Sequence, residues 1–311
     1  MTTAVKISQK RLSALRKVDA LLKLLRVIIT GVLATLTYPL ASSSVKQPSL
    51  LRELVRRVIK TLVGKCDALQ VQYLQPGGSQ VYKTWMATEA RKHNLPTEPC
   101  TELLGDGGKL YWVGRKDAKK LILHFHSGGC ALPLNPGHFN LNNYFREEVL
   151  RRNQVDVKMA FLEYSQYGLV DLDNSSASFT ENTHKDIIDA DSLIGWAELI
   201  KQGTMQDGRT PESERNWLEA AKAPPKWWKG TSKISKNFIV LYGEREVLKD
   251  EIVTFVERFK EGVEPEGVEM RVIQQKDGIH VGPTTEAGRG FPPRDEVKAL
   301  AGWVHERIME V

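Results

Sequence analysis

Residues 121–139, LILHFHSGGCALPLNPGHF, decide how the chain is interpreted, because this stretch has the pattern of a buried strand that runs into a glycine turn. Gly128 and Gly129 allow backbone N–H groups to turn toward one point, since no Cβ blocks the approach. Two such donors can stabilise the negative oxygen that forms when a carbonyl is attacked. An ordinary tight turn has the same composition, so the interpretation depends on what else the chain contains.

Short apolar strands alternate with helical stretches along most of the chain. The predicted strands are 109–114, 120–126, 157–164, 238–242 and 268–274, and the predicted helices between or after them are 144–152, 250–260 and 294–310. Residues 42–105 are predicted to be mostly helical. This alternation is typical of an α/β fold with a mostly parallel sheet flanked by helices. Segment 175–232 is polar and then Trp-rich, and we expect it to leave the sheet as a helical lid or long connection.

Cysteine usage and glycine motifs exclude several classes of site. Cys66, Cys100 and Cys130 show no C-x-x-C spacing, so neither a disulfide framework nor a zinc site is expected. His124 and His126 would point to one face of a strand, but no acid or cysteine completes a metal-binding set. No G-x-G-x-x-G follows a strand and no P-loop is present. The sequence therefore predicts no metal and no cofactor.

The net charge of +6 is confined to the start of the chain. Residues 1–26 contain seven basic residues and one acidic residue, and the remaining chain has 37 of each kind. The high isoelectric point therefore gives no reason to expect nucleic-acid binding by the body of the protein.

The basic arm has helical periodicity, with Leu12, Leu15, Val18, Leu22 and Leu25 recurring every three or four residues. The uncharged run 27–41, VIITGVLATLTYPLA, is shorter than the roughly 18–20 residues needed to span a bilayer. Its proline is expected to end the helix. Two readings stay open: a membrane-surface helix or signal anchor with a positive flank, and an amphipathic helix packed on the domain.

These features divide the chain into a basic and apolar N-terminal helix, 1–41, and a domain that covers 42–311. The expected location is cytoplasmic or membrane-associated, with an anchor of the endoplasmic-reticulum type as one option. If the protein is membrane-associated, we expect residues 1–41 to contact the membrane surface.

Two further segments supply groups for acid–base chemistry. In FIVLYGEREVLKDEI, a strand and Gly243 precede Glu244, Glu246 and Asp250. A carboxylate just past a strand can orient a histidine, although acids also cap helix starts. In KDGIHVGP, His280 lies between glycines on a loop that we expect to be flexible and suited to a proton shuttle. An exposed loop histidine is the alternative.

Together these segments resemble the alpha/beta-hydrolase fold-3 family, the hormone-sensitive-lipase-like esterases, and in particular its fungal branch, over most of residues 45–305. The stretch HSGGC is similar to the family's oxyanion motif, which implies roles for His126, Gly128 and Gly129. GEREVLKDE is similar to the acid segment and GIH to the histidine loop, which implies Glu246 and His280 as catalytic residues. The chain order, acid before histidine, is the order of this fold.

The resemblance implies a serine-type carboxylic-ester hydrolase acting on apolar esters, such as acetylated lipids or secondary metabolites. The family's G-x-S-x-G nucleophile motif is nevertheless absent from the 311 residues. It would be expected between Ser165 and Gln166, where the central strand and nucleophile elbow of the family are missing.

Ser165 follows a predicted strand and is a weak candidate nucleophile. Ser127 lies inside the oxyanion turn, and Cys130 is expected to be an inert thiol. The alternatives to an active enzyme are a non-catalytic relative that acts as a binding or scaffold protein, and a truncated gene product.

Overall fold

The computed structural model describes residues 12–43, 45–105, 108–125, 133–163, 176–195, 216 and 219–310. The chain forms two compact units. The first unit contains the described parts of 75–166 and 281–311, and the second contains those of 7–74 and 167–280.

Helices account for more of the described residues than strands do. The helices are α1 Ala14–Thr37, α2 Leu50–Lys65, α3 Ala68–Leu74, α4 Gly78–Thr88, α5 Pro136–Asn153, α6 Ala177–Glu181, α7 Lys249–Val263, α8 Gly282–Ala287 and α9 Asp295–Glu310. The strands are β1 Cys100–Leu103, β2 Lys109–Val113, β3 Lys120–Phe125, β4 Val157–Glu163, β5 Asn237–Gly243 and β6 Glu269–Gln275.

The first unit contains a mixed four-stranded sheet in the order β1-β2-β4-β3. β2 pairs antiparallel with β1 and with β4, and Tyr111 lies opposite Phe161. β3 pairs parallel with β4, where Leu123 lies opposite Ala160. A parallel pair needs a crossover connection, and α5 lies in the chain between these two strands.

An aromatic cluster fills the space between this sheet and its helices. Tyr82, Trp85, Tyr111, Phe139 and Phe161 are all nearly or fully buried. The ring centroids of Phe139 and Phe161 are 4.4 Å apart, and those of Tyr82 and Tyr111 are 4.8 Å apart. Tilted rings at such distances gain about 0.5–1.5 kcal/mol beyond their buried area. This cluster fixes α4 and α5 against the sheet.

The second unit contains the parallel pair β5 and β6, with α7 as the crossover. The Trp-rich segment packs on that helix: the ring of Trp228 lies edge-on to Phe255 at 5.4 Å and to Phe259 at 5.1 Å. Phe259 in turn contacts Phe238 of β5 at 5.1 Å. The aromatic side chains thus tie the segment around Trp228 to the strand pair through α7.

The structure confirms a mixed α/β fold. The predicted strands and helices occur in their predicted places, with ends that shift by a few residues, except that α5 begins eight residues earlier than predicted. The expectation of a mostly parallel sheet needs correction, because the pairs β1–β2 and β2–β4 are antiparallel. β1 was not predicted, because CTEL has no apolar alternation and its strand conformation depends on pairing with β2.

Gly137, in the first turn of α5, allows a close approach between helices of the first unit. A Cβ at this position would overlap the carbonyl oxygen of Thr284 in α8. We expect Gly137→Ala to lower the free energy of unfolding by about 1–3 kcal/mol through overpacking, measured by urea denaturation.

Gly302 is the matched control, because a Cβ there meets nothing within 4 Å in the interior of α9. Gly302→Ala should raise stability by about 0.5–1 kcal/mol through helix propensity. Equal effects of the two substitutions would contradict the close approach.

Candidate active site

The acid segment and the histidine loop follow neighbouring strands of the second unit. β5 ends at Gly243 and β6 ends at Gln275, and the two strands are parallel with these residues in register. The carboxyl ends of parallel strands meet at one sheet edge, where α/β proteins place their ligand sites. Glu246 and His280 therefore leave the sheet on the same side.

Backbone hydrogen bonds join the two loops beyond the strands. The N–H of Glu244 donates to the carbonyl of Gln275 at 3.0 Å, and that of Arg245 donates to the carbonyl of Gly278 at 2.8 Å. A Cβ on Gly278 would lie 2.8 Å from the Cα of Gly243, so glycine is required for this contact. Gly278 therefore serves a close approach between the two loops.

Glu246 and His280 meet at this edge. One carboxylate oxygen of Glu246, Oε2, lies 3.3 Å from Nδ1 of His280. The other, Oε1, accepts a hydrogen bond from the N–H of Gly243 at 2.8 Å. The Glu246 side chain is 8% exposed and that of His280 is 26% exposed. The carboxylate is thus held in place while the imidazole remains partly open to solvent.

The contact changes the acid–base properties of the imidazole. Burial acts to lower the pKa of His280, but the hydrogen bond and charge of Glu246, together with the charge of Asp186, outweigh it and raise this pKa above its ordinary value. With Nδ1 facing the carboxylate, Nε2 is the nitrogen available for proton transfer. A histidine oriented in this way can act as a general base and then as a general acid.

Asp186, a residue that sequence reasoning missed, connects the two loops by accepting hydrogen bonds from the backbone of both. It is fully buried. Its Oδ1 accepts hydrogen bonds from the N–H of His280 at 2.8 Å and of Ile187 at 2.7 Å, and its Oδ2 accepts one from the N–H of Val247 at 2.8 Å. Burial raises the pKa of Asp186 to about 6, against the opposing influence of the His280 charge and of the N–H groups of Val247 and His280. No local motif marks a lone aspartate before two isoleucines, so only tertiary structure could identify it.

The other two acids of the segment have different partners. Asp250 accepts a hydrogen bond from the N–H of Ser178 at 2.8 Å, which joins the start of α7 to the start of α6. Glu244 accepts one from the N–H of Asp277 at 3.0 Å. Of the three carboxylates, Glu246 is the one that the structure brings to His280.

The remaining predicted site residues lie outside the described part of the chain. These are the oxyanion residues and the candidate nucleophiles, namely His126, Ser127, Gly128, Gly129, Cys130 and Ser165. Their roles stay predictions from the sequence.

Solved structures similar to this chain include esterases, all at low sequence identity. Carboxyl esterase 2 of the mycorrhizal fungus Tuber melanosporum has a TM-score of 0.49 and 13% identity, over 74% of this chain and 97% of that one. An esterase of the bacterial hormone-sensitive lipase family has a TM-score of 0.49 and 14% identity, over 93% and 97% of the two chains. The Francisella virulence factor BioJ has a TM-score of 0.45 and 14% identity, over 86% and 98%.

No family model matches the chain, and neither does any curated protein sequence.

The raised pKa of His280 gives a direct test of its contact with Glu246. In Glu246→Gln the carboxylate charge is lost, so the pKa of His280 should fall, because Glu246 supplies the hydrogen bond and charge that raise it. NMR titration of the imidazole Cε1–H signal measures the change. Glu244→Gln is the control, because Glu244 contacts Asp277. An unchanged titration in Glu246→Gln would show that the two side chains do not interact in solution.

Asp186 offers a second test, of loop positioning. Asp186→Ala leaves three backbone N–H groups without their acceptor, and each buried unpaired group costs about 1–3 kcal/mol. We expect a large drop in the urea midpoint together with a shifted His280 titration. Asp191→Ala, at an exposed position of the same segment, should change neither quantity. A wild-type midpoint in Asp186→Ala would rule out the positioning role.

Proposed function

We propose that this chain carries the acid–base half of a serine-type carboxylic-ester hydrolase site, with Glu246 as the orienting acid and His280 as the base. The observation that carries the proposal is the 3.3 Å contact between Glu246 Oε2 and His280 Nδ1 beyond the ends of parallel strands. A buried carboxylate, a partly open imidazole and a raised histidine pKa are the properties that this role requires.

In the proposed reaction, a hydroxyl oxygen attacks the ester carbonyl carbon and its proton moves to Nε2 of His280. The tetrahedral oxyanion would be held by the N–H groups of Gly128 and Gly129. When the ester bond breaks, His280 returns the proton to the leaving alkoxide. Water then releases the acid by the same route. Apolar esters, including acetylated lipids or secondary metabolites, are the proposed substrate class.

The nucleophile is the part of this site for which the sequence offers no standard motif. We propose that the central strand and nucleophile elbow are missing between β4 and α6. Two observations support this: G-x-S-x-G is absent from the sequence, and among the described strands β3 pairs with β4 alone and β5 with β6 alone. On one face of β3, the side chains of Leu121, Leu123 and Phe125 are 44%, 47% and 61% exposed.

The absence of the motif favours a second function, a non-catalytic relative that binds ester-like molecules. Such a protein would bind an apolar ester without turning it over. We propose that segment 175–232 serves as the lid in either case.

We expect the purified chain to hydrolyse p-nitrophenyl butyrate slowly, because its attacking group is not preorganised. Any residual rate should depend on the acid–base pair, so His280→Gln should reduce it by about 10²–10⁴-fold. Release of p-nitrophenolate measures the rate, and covalent labelling by a fluorophosphonate, followed by mass spectrometry, reports an activated serine.

The same assay distinguishes the two functions. A rate unaffected by His280→Gln, combined with saturable binding of the ester, would favour the binding protein. Efficient hydrolysis that is lost in Ser165→Ala but kept in Ser127→Ala would show that Ser165 attacks and that no elbow is needed.

A further inference from the structure

Within the second unit, helix α1 packs on α2 through one narrow row of residues, its seam. Ala20, Val27 and Ala34 are its buried residues, and they recur every seven positions. Gly31 belongs to the same side, where an added Cβ would lie 3.4 Å from Leu54 of α2. Small side chains allow the two helices to approach closely, as required for packing along a seam.

Polar contacts reinforce this seam along the helix. Arg16 pairs with Asp67 at 2.6 Å, Lys23 donates to Gln70 at 2.9 Å, and Arg57 donates to Thr37 at 3.0 Å. These contacts extend from the first to the last turn of α1. The helix is therefore docked on α2 and α3 over its whole length.

The side of α1 opposite the seam is aliphatic and exposed. Its residues follow one another every three or four positions: Leu15, Val18, Leu22, Leu25, Ile29, Val32 and Leu36. Their exposed fractions range from 49% to 82%. At 3.6 residues per turn they lie roughly 180° from the buried alanines and form a stripe about 32 Å long. The period of leucines seen in the sequence thus faces away from the protein.

The charged residues of α1 leave this stripe free. Arg16, Lys17, Asp19, Lys23 and Arg26 lie on the seam side and its flanks when placed at 100° per residue. Four of the five are basic. Arg16 and Lys23 are held in the seam, and Lys17 and Arg26 lie on its opposite flanks. Cationic side chains beside an aliphatic stripe are the arrangement of helices that lie in a membrane interface, because long cationic side chains reach the headgroups.

We propose that α1 lies in the plane of an anionic lipid bilayer, with its aliphatic stripe in the acyl boundary and its seam still docked on α2. The ligand is a lipid surface whose acidic headgroups neutralise the basic flanks. This inference is independent of the proposed ester chemistry.

The segment Ala14–Leu40 is also long and apolar enough to cross a membrane. Crossing would separate α1 from α2 or carry α2 into the bilayer. The first case breaks the seam with Asp67, Gln70 and Arg57, and the second inserts the charges of α2, which are costly in hydrocarbon. The docked geometry therefore favours the in-plane orientation over the spanning one.

Flotation of the full-length protein with vesicles tests the proposal. Vesicles of phosphatidylcholine and phosphatidylserine should carry the protein to the top of the gradient, and vesicles of phosphatidylcholine alone should carry less. The double variant Leu22→Asp/Ile29→Asp should bind at least about tenfold more weakly, because it places charges in the stripe.

Ile234→Asp is the matched control, since Ile234 is 87% exposed in the same unit but outside α1. It should float like the wild type, and circular dichroism melting should show all variants folded. Failure of the folded wild-type chain to float would overturn the proposal. The proposal would also be overturned if the wild type is a dimer that binds no vesicles and the double variant is a monomer. The stripe would then join two copies of the chain.

Orientation is tested separately by translation in the presence of sealed microsomes. Epitope tags at both ends should be digested together by added protease if α1 lies in the plane. Protection of one tag alone would show a spanning helix and overturn the in-plane orientation.

Discussion

The buried carboxylate of Asp186 is the constraint on which the candidate site depends. It holds the N–H groups of Val247 and His280 at 2.8 Å each, so the loops after β5 and β6 share one acceptor. Sharing that acceptor places Glu246 within 3.3 Å of His280. A buried charge is costly unless it is hydrogen-bonded, and three backbone donors meet this requirement. The contact between Glu246 and His280 is thus held in place by a third carboxyl group, which accepts hydrogen bonds from the backbone of both loops.

In the same site, the glycines Gly243 and Gly278 and the carboxylates of Glu246 and Asp250 make different contacts. Gly243 and Gly278 let the two loops touch, which brings the backbone donors within reach of Asp186. Glu246 then raises the pKa of His280, while Asp250 joins α7 to α6. An ester hydrolase needs one further group, an activated hydroxyl. In this chain Glu246 contacts His280, while the sequence lacks the G-x-S-x-G motif.

Helix α1 has one side that packs on the protein and an opposite side that is exposed. Its buried seam consists of small residues, so close packing stabilises docking on α2, while the opposite stripe leaves seven aliphatic side chains exposed. Water solvates such a continuous stripe poorly, and a lipid interface removes that cost. The sequence left a membrane helix and a packed helix as alternatives, and the docked geometry is compatible with both roles at once.

The sequence by itself determined the α/β alternation and most strand and helix positions, because apolar periodicity is a local signal, and the resemblance to a known family implied Glu246 as the partner of His280. It did not reveal β1, whose conformation depends on a partner strand, or the early start of α5, which depends on the cap at Asn135. Tertiary structure alone decided the role of Asp186 and which side of α1 packs against the protein. Each of these depends on contacts between residues far apart in the chain, and such contacts leave no periodic trace in the sequence.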